Sequence, residues 1–264
     1  MKSRKSRRRN NKDLSYNSVL DHVEMDFEKF HESTKMHEFP SDIITEDIPA
    51  EWIKISYKSY QRLDKIVLPD PLPLFPDSIS LKQILISRQS KRIFGLKSVG
   101  VNKLSPLLYF SVGLKNRRKL QVPQRFYPSG GGRYPLEIYI IALKTDLPKG
   151  VYHYNVMDHV LEELVQFGTF DFHKYFHQEW GKKAAFIVVM TAIFERNTVK
   201  YKDRGYRHVL SETGHVGQNF YLNSTALNIS CSSIGGYKEE ELNTLLDIDG
   251  KKETVIYAMA FGSS

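Results

Sequence analysis

The densest chemistry in the chain lies at residues 87–95, SRQSKRIFG, where Arg88, Ser90 and Arg92 occupy alternate positions. In an extended backbone alternate side chains share one side, so two guanidinium groups and a hydroxyl would converge. Such a set suits a dianion such as phosphate, which arginine's fixed fork of donors can grip at two oxygens. A charged helix end at the surface accounts for the same spacing, and the pattern alone does not choose. A second segment, residues 127–140, reads YPSGGGRYPLEIYI. Pro128 and Ser129 lead into Gly130, Gly131 and Gly132, and Tyr134 and Pro135 then feed an apolar run. Glycine leaves bare backbone, so a flat ring could lie close against it at the mouth of a sheet. An ordinary glycine turn fits these residues equally well.

Helices and strands must place both segments. Residues 79–86 read as a helix opened by Asp77 or Ser78, and residues 101–114 as a helix ended by Gly113. Three runs read as buried strands: LEIYIIAL from Leu136, AAFIVVMTAIF from Ala184 and TVIYAMAFG from Thr254. VYHYNV from Val151, then Asp158, then HVLEEL from His159 predicts a hairpin. Across residues 205–227, Val209, Thr213, Val216, Phe220 and Leu227 recur at helical intervals, which predicts a helix packed on the sheet. Leu20, Val23, Phe27 and Phe30 form one stripe of a helix over residues 16–39. Four prolines in residues 67–76, VLPDPLPLFP, predict an extended connector between an N-terminal helical segment, 15–76, and a main body, 77–264. The mixture lacks a regular βαβ rhythm, so the fold class is α+β.

The chain has 264 residues, 41% of them hydrophobic, enough for a substantial core. Its formal net charge of +8 is concentrated in the first twelve residues, MKSRKSRRRNNK. Setting those seven Lys and Arg aside leaves 31 cations against 30 acids. A broad basic face for nucleic acid is thereby excluded from the body, and residues 1–14 read as a solvated, disordered arm. A lone Cys231 makes no internal disulfide and no apolar signal core follows the basic start, which points to a reducing cytoplasm. The longest apolar run, residues 184–194, falls short of the about 20 residues a membrane span requires. Gly130–Gly132 is followed by Arg-Tyr-Pro rather than the Lys-Ser/Thr of a phosphate loop, and no Rossmann pattern occurs. His31 and His37 lie six apart around Glu32, the wrong spacing for a zinc helix, so no metal site is expected. Cys231, in NISCSSIGG after an apolar helix, reads as a small buried thiol rather than a nucleophile.

In combination, Arg88, Ser90 and Arg92, the Pro128 to Gly131 segment with Tyr134 and Pro135, Lys200 with Tyr201, and RGYRHVLSETGHVGQN at residues 204–219 carry a resemblance. They resemble the azoline dehydrogenase group of the nitroreductase-like FMN oxidoreductases, the oxidases of thiazole/oxazole-modified microcin synthesis. The motifs run in order over residues 79–262, and KFHESTK at residues 29–35 is similar to the group's short leader motif. The resemblance implies a mixed sheet flanked by helices and a homodimer with FMN at the subunit interface. The implied activity is oxidation of peptide thiazolines or oxazolines, with the flavin reoxidised by O2. Implied partners are an azoline-bearing precursor peptide and the cyclodehydratase and docking subunits of a synthetase complex, with no nucleic acid or membrane.

The same resemblance assigns roles. Arg88, Ser90 and Arg92 would clamp the FMN phosphate and ribityl chain; the backbone from Ser129 to Gly131 would face the flavin ring. Ser233, Ile234, Gly235 and Gly236 are similar to the group's second flavin-edge segment. Asn219 would add a polar contact, though a helix cap or core hydrogen bond explains it as well. Lys200 and Tyr201 match the group's proton-handling pair; as sequence neighbours they diverge on a regular helix or strand, so an irregular segment is expected. Alternatively Lys200, Lys202, Arg204 and Arg207 form a basic rim for peptide or phosphate. Two departures stand out: Gly132 and Arg133 replace the common Ala-Leu before Tyr-Pro, and the chain stops at Ser264, so a C-terminal arm is expected to be absent or short. Competing functions are an NAD(P)H-dependent nitroreductase or ene-reductase and a flavin-free scaffold subunit.

Overall fold

A computed structural model describes residues 26–35, 57–115 and 124–264. Packing divides the chain into two units, residues 1–44 and 45–264. In the first, helix α1 (Asp26–Ser33) buries none of its residues, and Phe27 and Phe30 are exposed. The KFHESTK motif falls in and just after this helix. The basic arm, His37 and the rest of the helix expected over residues 16–39 lie outside the described residues.

The second unit is built on strands β1 (Lys65–Val67), β2 (Leu114–Lys115), β3 (Gln124–Arg125), β4 (Leu136–Ala142), β5 (Gly150–Asn155), β6 (Val160–Gln166), β7 (Phe186–Ile193), β8 (Ile229–Ile234) and β9 (Glu253–Ser263). Seven of them form one sheet in the order β1-β6-β5-β4-β7-β9-β8, while β2 and β3 pair separately. The α+β class and its flanking helices are as expected. Every described pairing in the sheet is antiparallel, however, where the resemblance implied a mixed sheet. Tight reversals from β4 to β5 and from β5 to β6 leave no room for the crossovers that parallel neighbours require.

Side chains alternate across the sheet. Ile138 and Ile140 join a core with α3 (Val101–Val112) and α6 (Arg204–Ala226), where Leu104, Leu107, Val216 and Phe220 are wholly buried. Tyr139 and Ile141 face the opposite core, with Phe172 of α4 (Phe172–Tyr175) and Leu242 of α7 (Glu239–Leu245). Burial on both faces explains why β4 reads as a nearly continuous apolar run, broken only by Glu137.

Helix α2 (Leu81–Ser87) starts at Ser80, not at Asp77 or Ser78. The Ser80 hydroxyl accepts from the Gln83 amide at 3.2 Å and Gln83 Oε1 accepts from the Ser80 amide at 3.0 Å, a reciprocal cap available only at that spacing. Residues 229–234, after α6, form the edge strand β8; its Cys231 is buried, and burial pushes the thiol up to about 12. The proline run does not divide the main unit, because β1 upstream of it pairs with β6. The run is strapped onto α3 instead: Ser105 donates to the Pro69 carbonyl at 2.6 Å, and the Phe75 and Phe110 rings meet at 4.4 Å. Among the described residues no helix is long and apolar enough to cross a membrane.

Candidate active site

The three glycines form a tight 3-10 turn, Gly130–Gly132, at the entrance to β4. Gly131 has φ +65°, and a Cβ there would lie 2.5 Å from the Tyr201 hydroxyl oxygen, so both conformation and space demand glycine. Pro128 is exposed just ahead of the turn. Tyr134 also has a positive φ, +48°. Such a backbone costs on the order of 1–3 kcal/mol and persists only where its surroundings enforce it. Here they do. The Tyr134 amide donates to Ser129 Oγ at 2.8 Å, its hydroxyl accepts from the Arg125 amide at 3.1 Å, and its carbonyl accepts from Arg196 at 2.9 Å.

Helix α5 (Glu195–Tyr201) brings Lys200 and Tyr201 to this turn. It stops because Lys202 turns to φ +49° and ψ −141°. Gly205 lets α6 start close against α5, since a Cβ there would meet the Thr198 amide nitrogen at 3.0 Å. Lys200 Nζ lies 5.4 Å from the Tyr201 ring centre, and the His208 ring packs on Tyr201 at 4.8 Å. The pair therefore meets at the last turn of a regular helix, not in the irregular segment expected.

Arg196 locks α5 in place. Its guanidinium pairs with buried Glu137 at 2.6 Å as well as reaching the Tyr134 carbonyl, and Arg133 Nε donates to the Arg196 carbonyl. The cation that departs from the common motif, Arg133, is thus turned inward and buried. Behind Glu137 a charged row crosses the sheet: His153 bonds Glu137 at 3.1 Å and Glu162 at 2.9 Å. Burial would raise the Glu137 carboxyl, but the His153 hydrogen bond and the Arg196 charge hold it down at about 2. Burial likewise opposes protonation of His153, and its two carboxylate partners overcome this and raise it.

Under the glycine turn, one helical turn beyond His208, sits Glu212, only 2% exposed. Burial pushes its carboxyl up to about 7; the nearby Ser129 hydroxyl, Arg125 and the Gly130 amide oppose this in part. Ser129 and Gly130 face the carboxyl, and among the described residues neither oxygen closes a hydrogen bond of normal geometry. Both polar atoms of the Asn197 side chain, fully buried, are in the same condition. Sequence reasoning missed Arg196, Asn197, His208 and Glu212. The one legible signal was Glu212, an acid inside the apolar stripe of Val209, Thr213 and Val216.

A second cluster forms at the other end of α6. Residues 88–95 form neither helix nor strand, and the Lys91 backbone amide donates to the Cys231 carbonyl of β8 at 2.9 Å. Alternate side chains separate as expected: Ser87, Gln89 and Lys91 line a cavity of about 180 Å³, whereas Arg88 and Ser90 turn to Tyr221. Arg88 lies 5.6 Å from the Tyr221 ring centre, and Ser90 Oγ lies 3.2 Å from its hydroxyl. That hydroxyl accepts from the Ser233 amide at 2.9 Å and donates to Ser233 Oγ at 3.3 Å. Tyr221, absent from the sequence reading, thereby joins Arg88 and Ser90 to the segment running into Gly235. Arg92 instead stacks on Trp180 at 5.8 Å. The Ile234 side chain belongs to the core, Gly235 is exposed with open space around it, and the Gln178 amide lies along Gly236 with bonds of 2.8 and 2.9 Å. Asn219 donates to the Ser111 carbonyl at 3.1 Å and the Phe126 carbonyl at 3.4 Å, fastening α6 to α3 and to the strand entering the glycine turn.

Residues 85–263 match the nitroreductase family, and the chain belongs to that family. It is 31% identical over 201 residues to a protein of Methanocaldococcus jannaschii named as a nitroreductase, covering 75% of this chain and 96% of that one. It is 29% identical over 147 residues to the microcin B17-processing protein McbC of Escherichia coli, covering 53% of this chain. The match spans about half the length of McbC, 54%. In fold the chain is also similar to a chain of the E. coli microcin synthetase McbBCD complex with truncated pro-MccB17 bound. That likeness has a TM-score of 0.55 at 19% identity, over 97% of this chain and 99% of that one.

Proposed function

We propose that the chain is an FMN-dependent dehydrogenase that oxidises thiazolines or oxazolines within a ribosomally made peptide, with O2 as final acceptor. The carrying observation is the Tyr201 hydroxyl seated against Gly131 with Lys200 at its ring, which supports a proton-handling role for this pair beside the bare-backbone turn. The likeness to McbC, named for processing microcin B17, supports a peptide substrate. The fold shared with a synthetase complex supports work beside cyclodehydratase and docking subunits.

The residues fit FMN. Gly131 leaves a cradle that a Cβ would fill, and Arg88 with Ser90 offers a half-exposed cation and an exposed hydroxyl of the kind a phosphate requires. Arg88 and Ser90 would hold the phosphate with Tyr221 and Ser233 behind them, and Arg92 would add a second cation to the rim. Residues 128–131 and the open backbone at Gly235 and Gly236 would take the ring, with Ile234 and Asn219 fixing those segments from the core side. When bound, FMN supplies a two-electron acceptor. Tyr201, in its deprotonated form, would receive the proton leaving the azoline at the phenolate oxygen, the Lys200 cation beside the ring would favour that form, and the glycine turn would align the substrate edge.

A second copy completes the arrangement. His208 and Tyr221 stand thirteen residues apart on α6, about 20 Å along its axis, so the glycine turn and the Arg88 cluster lie at opposite ends. That is the spacing expected if each flavin is held by the phosphate end of one copy and the turn of another. Leu81, Leu85, Ile86, Ile93 (89% exposed) and Leu96 (92%) surround the Arg88 segment, an apolar strip that suits such a partner. The buried lone Cys231 accords with a reducing cytoplasm.

Incubating the purified protein with FMN, O2 and an azoline-bearing peptide should give a peptide lighter by two hydrogens. A Lys200→Ala/Tyr201→Phe double variant should keep FMN and lose the oxidation. Parent-rate oxidation by that variant overturns the role of the pair. NADPH-driven reduction of a nitroaromatic with no peptide oxidation would turn the reading to a small-molecule nitroreductase, and a protein that binds no FMN would turn it to a scaffold.

A further inference from the structure

Among the described residues, both oxygens of Glu212 and both polar atoms of the Asn197 amide are buried without a hydrogen-bond partner. The two side chains come from different helices, α6 and α5, yet reach the same residue. The Glu212 carboxyl faces the Gly130 amide, and Asn197 Nδ2 lies 3.8 Å from where a Gly130 Cβ would stand. The Ser129 hydroxyl, already accepting from the Tyr134 amide, also faces Glu212. Native proteins rarely leave such groups unpaired, and a polar niche offering two to four partners is where a buried water resides. This niche offers carboxyl and amide acceptors together with donors from Asn197 and the Gly130 backbone.

We propose that Glu212 and Asn197 form a buried hydration site behind the glycine turn, holding one ordered water, and that Glu212 acts through it as a positioning residue for residues 129–131. The chain of contact is short. Water held by Glu212 and Asn197 pins the back of the turn to α5 and α6, leaving the front of Gly131 against Tyr201. The charged and titratable groups facing the niche are Arg125 of β3, Arg196 of α5 and His208 of α6, with Tyr127 and Glu137 next to Arg125. The site needs a hydrogen-bonding side chain of Glu212's shape more than it needs its charge, so Glu212→Gln should preserve it and Glu212→Leu should destroy it.

The second half of this inference rests on the FMN reading; the hydration site does not. A high-resolution crystal structure of the full chain should show one water within hydrogen-bond distance of both Glu212 and Asn197. A dry niche, or a direct Glu212–Asn197 bond, overturns the proposal. Titrated with FMN by flavin fluorescence, Glu212→Leu should bind about tenfold more weakly than the parent, a loss comparable to one displaced contact. Glu212→Gln should stay within about threefold. The unfolding midpoint of Glu212→Leu should not fall below that of the parent, which separates turn positioning from general destabilisation. Should Glu212→Leu fail to fold, Asn197→Leu is the second variant, with the same loss of FMN affinity expected. Parent-like FMN affinity in the leucine variant overturns the positioning role. If the parent itself binds no FMN while the water is present, the FMN reading fails and the hydration site stands.

Discussion

Replacing Arg196 by methionine tests the lock that sets α5 against the glycine turn. The guanidinium sits 2.6 Å from Glu137 and 2.9 Å from the Tyr134 carbonyl, and both charged side chains are nearly or wholly buried. Removing one partner of a buried pair leaves the other charge uncompensated, at a cost of about 3–5 kcal/mol. A second route gives a similar size. Glu137 is held at about 2 instead of 4.5, which stabilises the fold by about 3 kcal/mol at neutral pH, shared between His153, Arg196 and Arg125. Arg196 accounts for only part of that, so Arg196→Met should cost about 2–4 kcal/mol by urea denaturation at pH 7. The sign with pH follows from the depressed value. The parent keeps this contribution above about 4.5 and loses it as pH falls toward 2; in the variant the loss should start at the same pH but be smaller and finish at a higher pH, because Glu137 is no longer held as low. Adding Glu137→Gln to Arg196→Met should recover at least about 1 kcal/mol, since the stranded charge is gone. A loss under about 0.5 kcal/mol in the single variant, or strict additivity in the double, would refute the lock.

Three further outcomes are expected. Glu212, raised from 4.5 to about 7, should make the parent lose about 3 kcal/mol as pH climbs between those values, with the penalty complete above 7. Glu212→Gln should lack that slope, and parallel denaturation curves at pH 5 and 8 would contradict it. Gly131→Ala should cost at least about 1 kcal/mol through its φ of +65° and its clash with the Tyr201 hydroxyl. Tyr201→Phe should restore part of the melting temperature in that background, and no restoration would show that the clash is immaterial. Cys231, buried with its thiol at about 12, should resist alkylation in the native protein and react in urea; rapid labelling of folded protein would count against its placement in β8.

What could be read from residue order was whatever left a period behind. The stripe of α6 and the nearly continuous apolar run of β4 both report burial directly, one every 3.6 residues and the other on two faces at once. Strand β8 left no such trace, because its buried residues include the small hydroxyls Ser230 and Ser232 at a sheet edge. Alternation along residues 87–91 was legible, but the partners were not: Tyr221 and Trp180 are brought there by the fold. The same holds for the charged row. Glu137 and His153 look like polar interruptions in two strands until β4 and β5 pair and place them side by side.

Under the proposed function the two clusters would divide the labour of recognition. Arg88, Ser90, Tyr221 and Ser233 make contacts suited to any phosphate-bearing flavin and contain nothing that distinguishes one oxidisable substrate from another. The glycine turn is different, because its exposed front is bounded by Tyr201, with Lys200 and His208 both packed on the Tyr201 ring. Since α5 carries Lys200 and Tyr201 and is fixed through Arg196 to the buried row of the sheet, the proposed function would tie substrate choice to a rigid element rather than to a loop. It follows that changes confined to α5 should leave FMN bound while altering which molecule is oxidised, whereas changes at Arg88 should release FMN whatever the substrate.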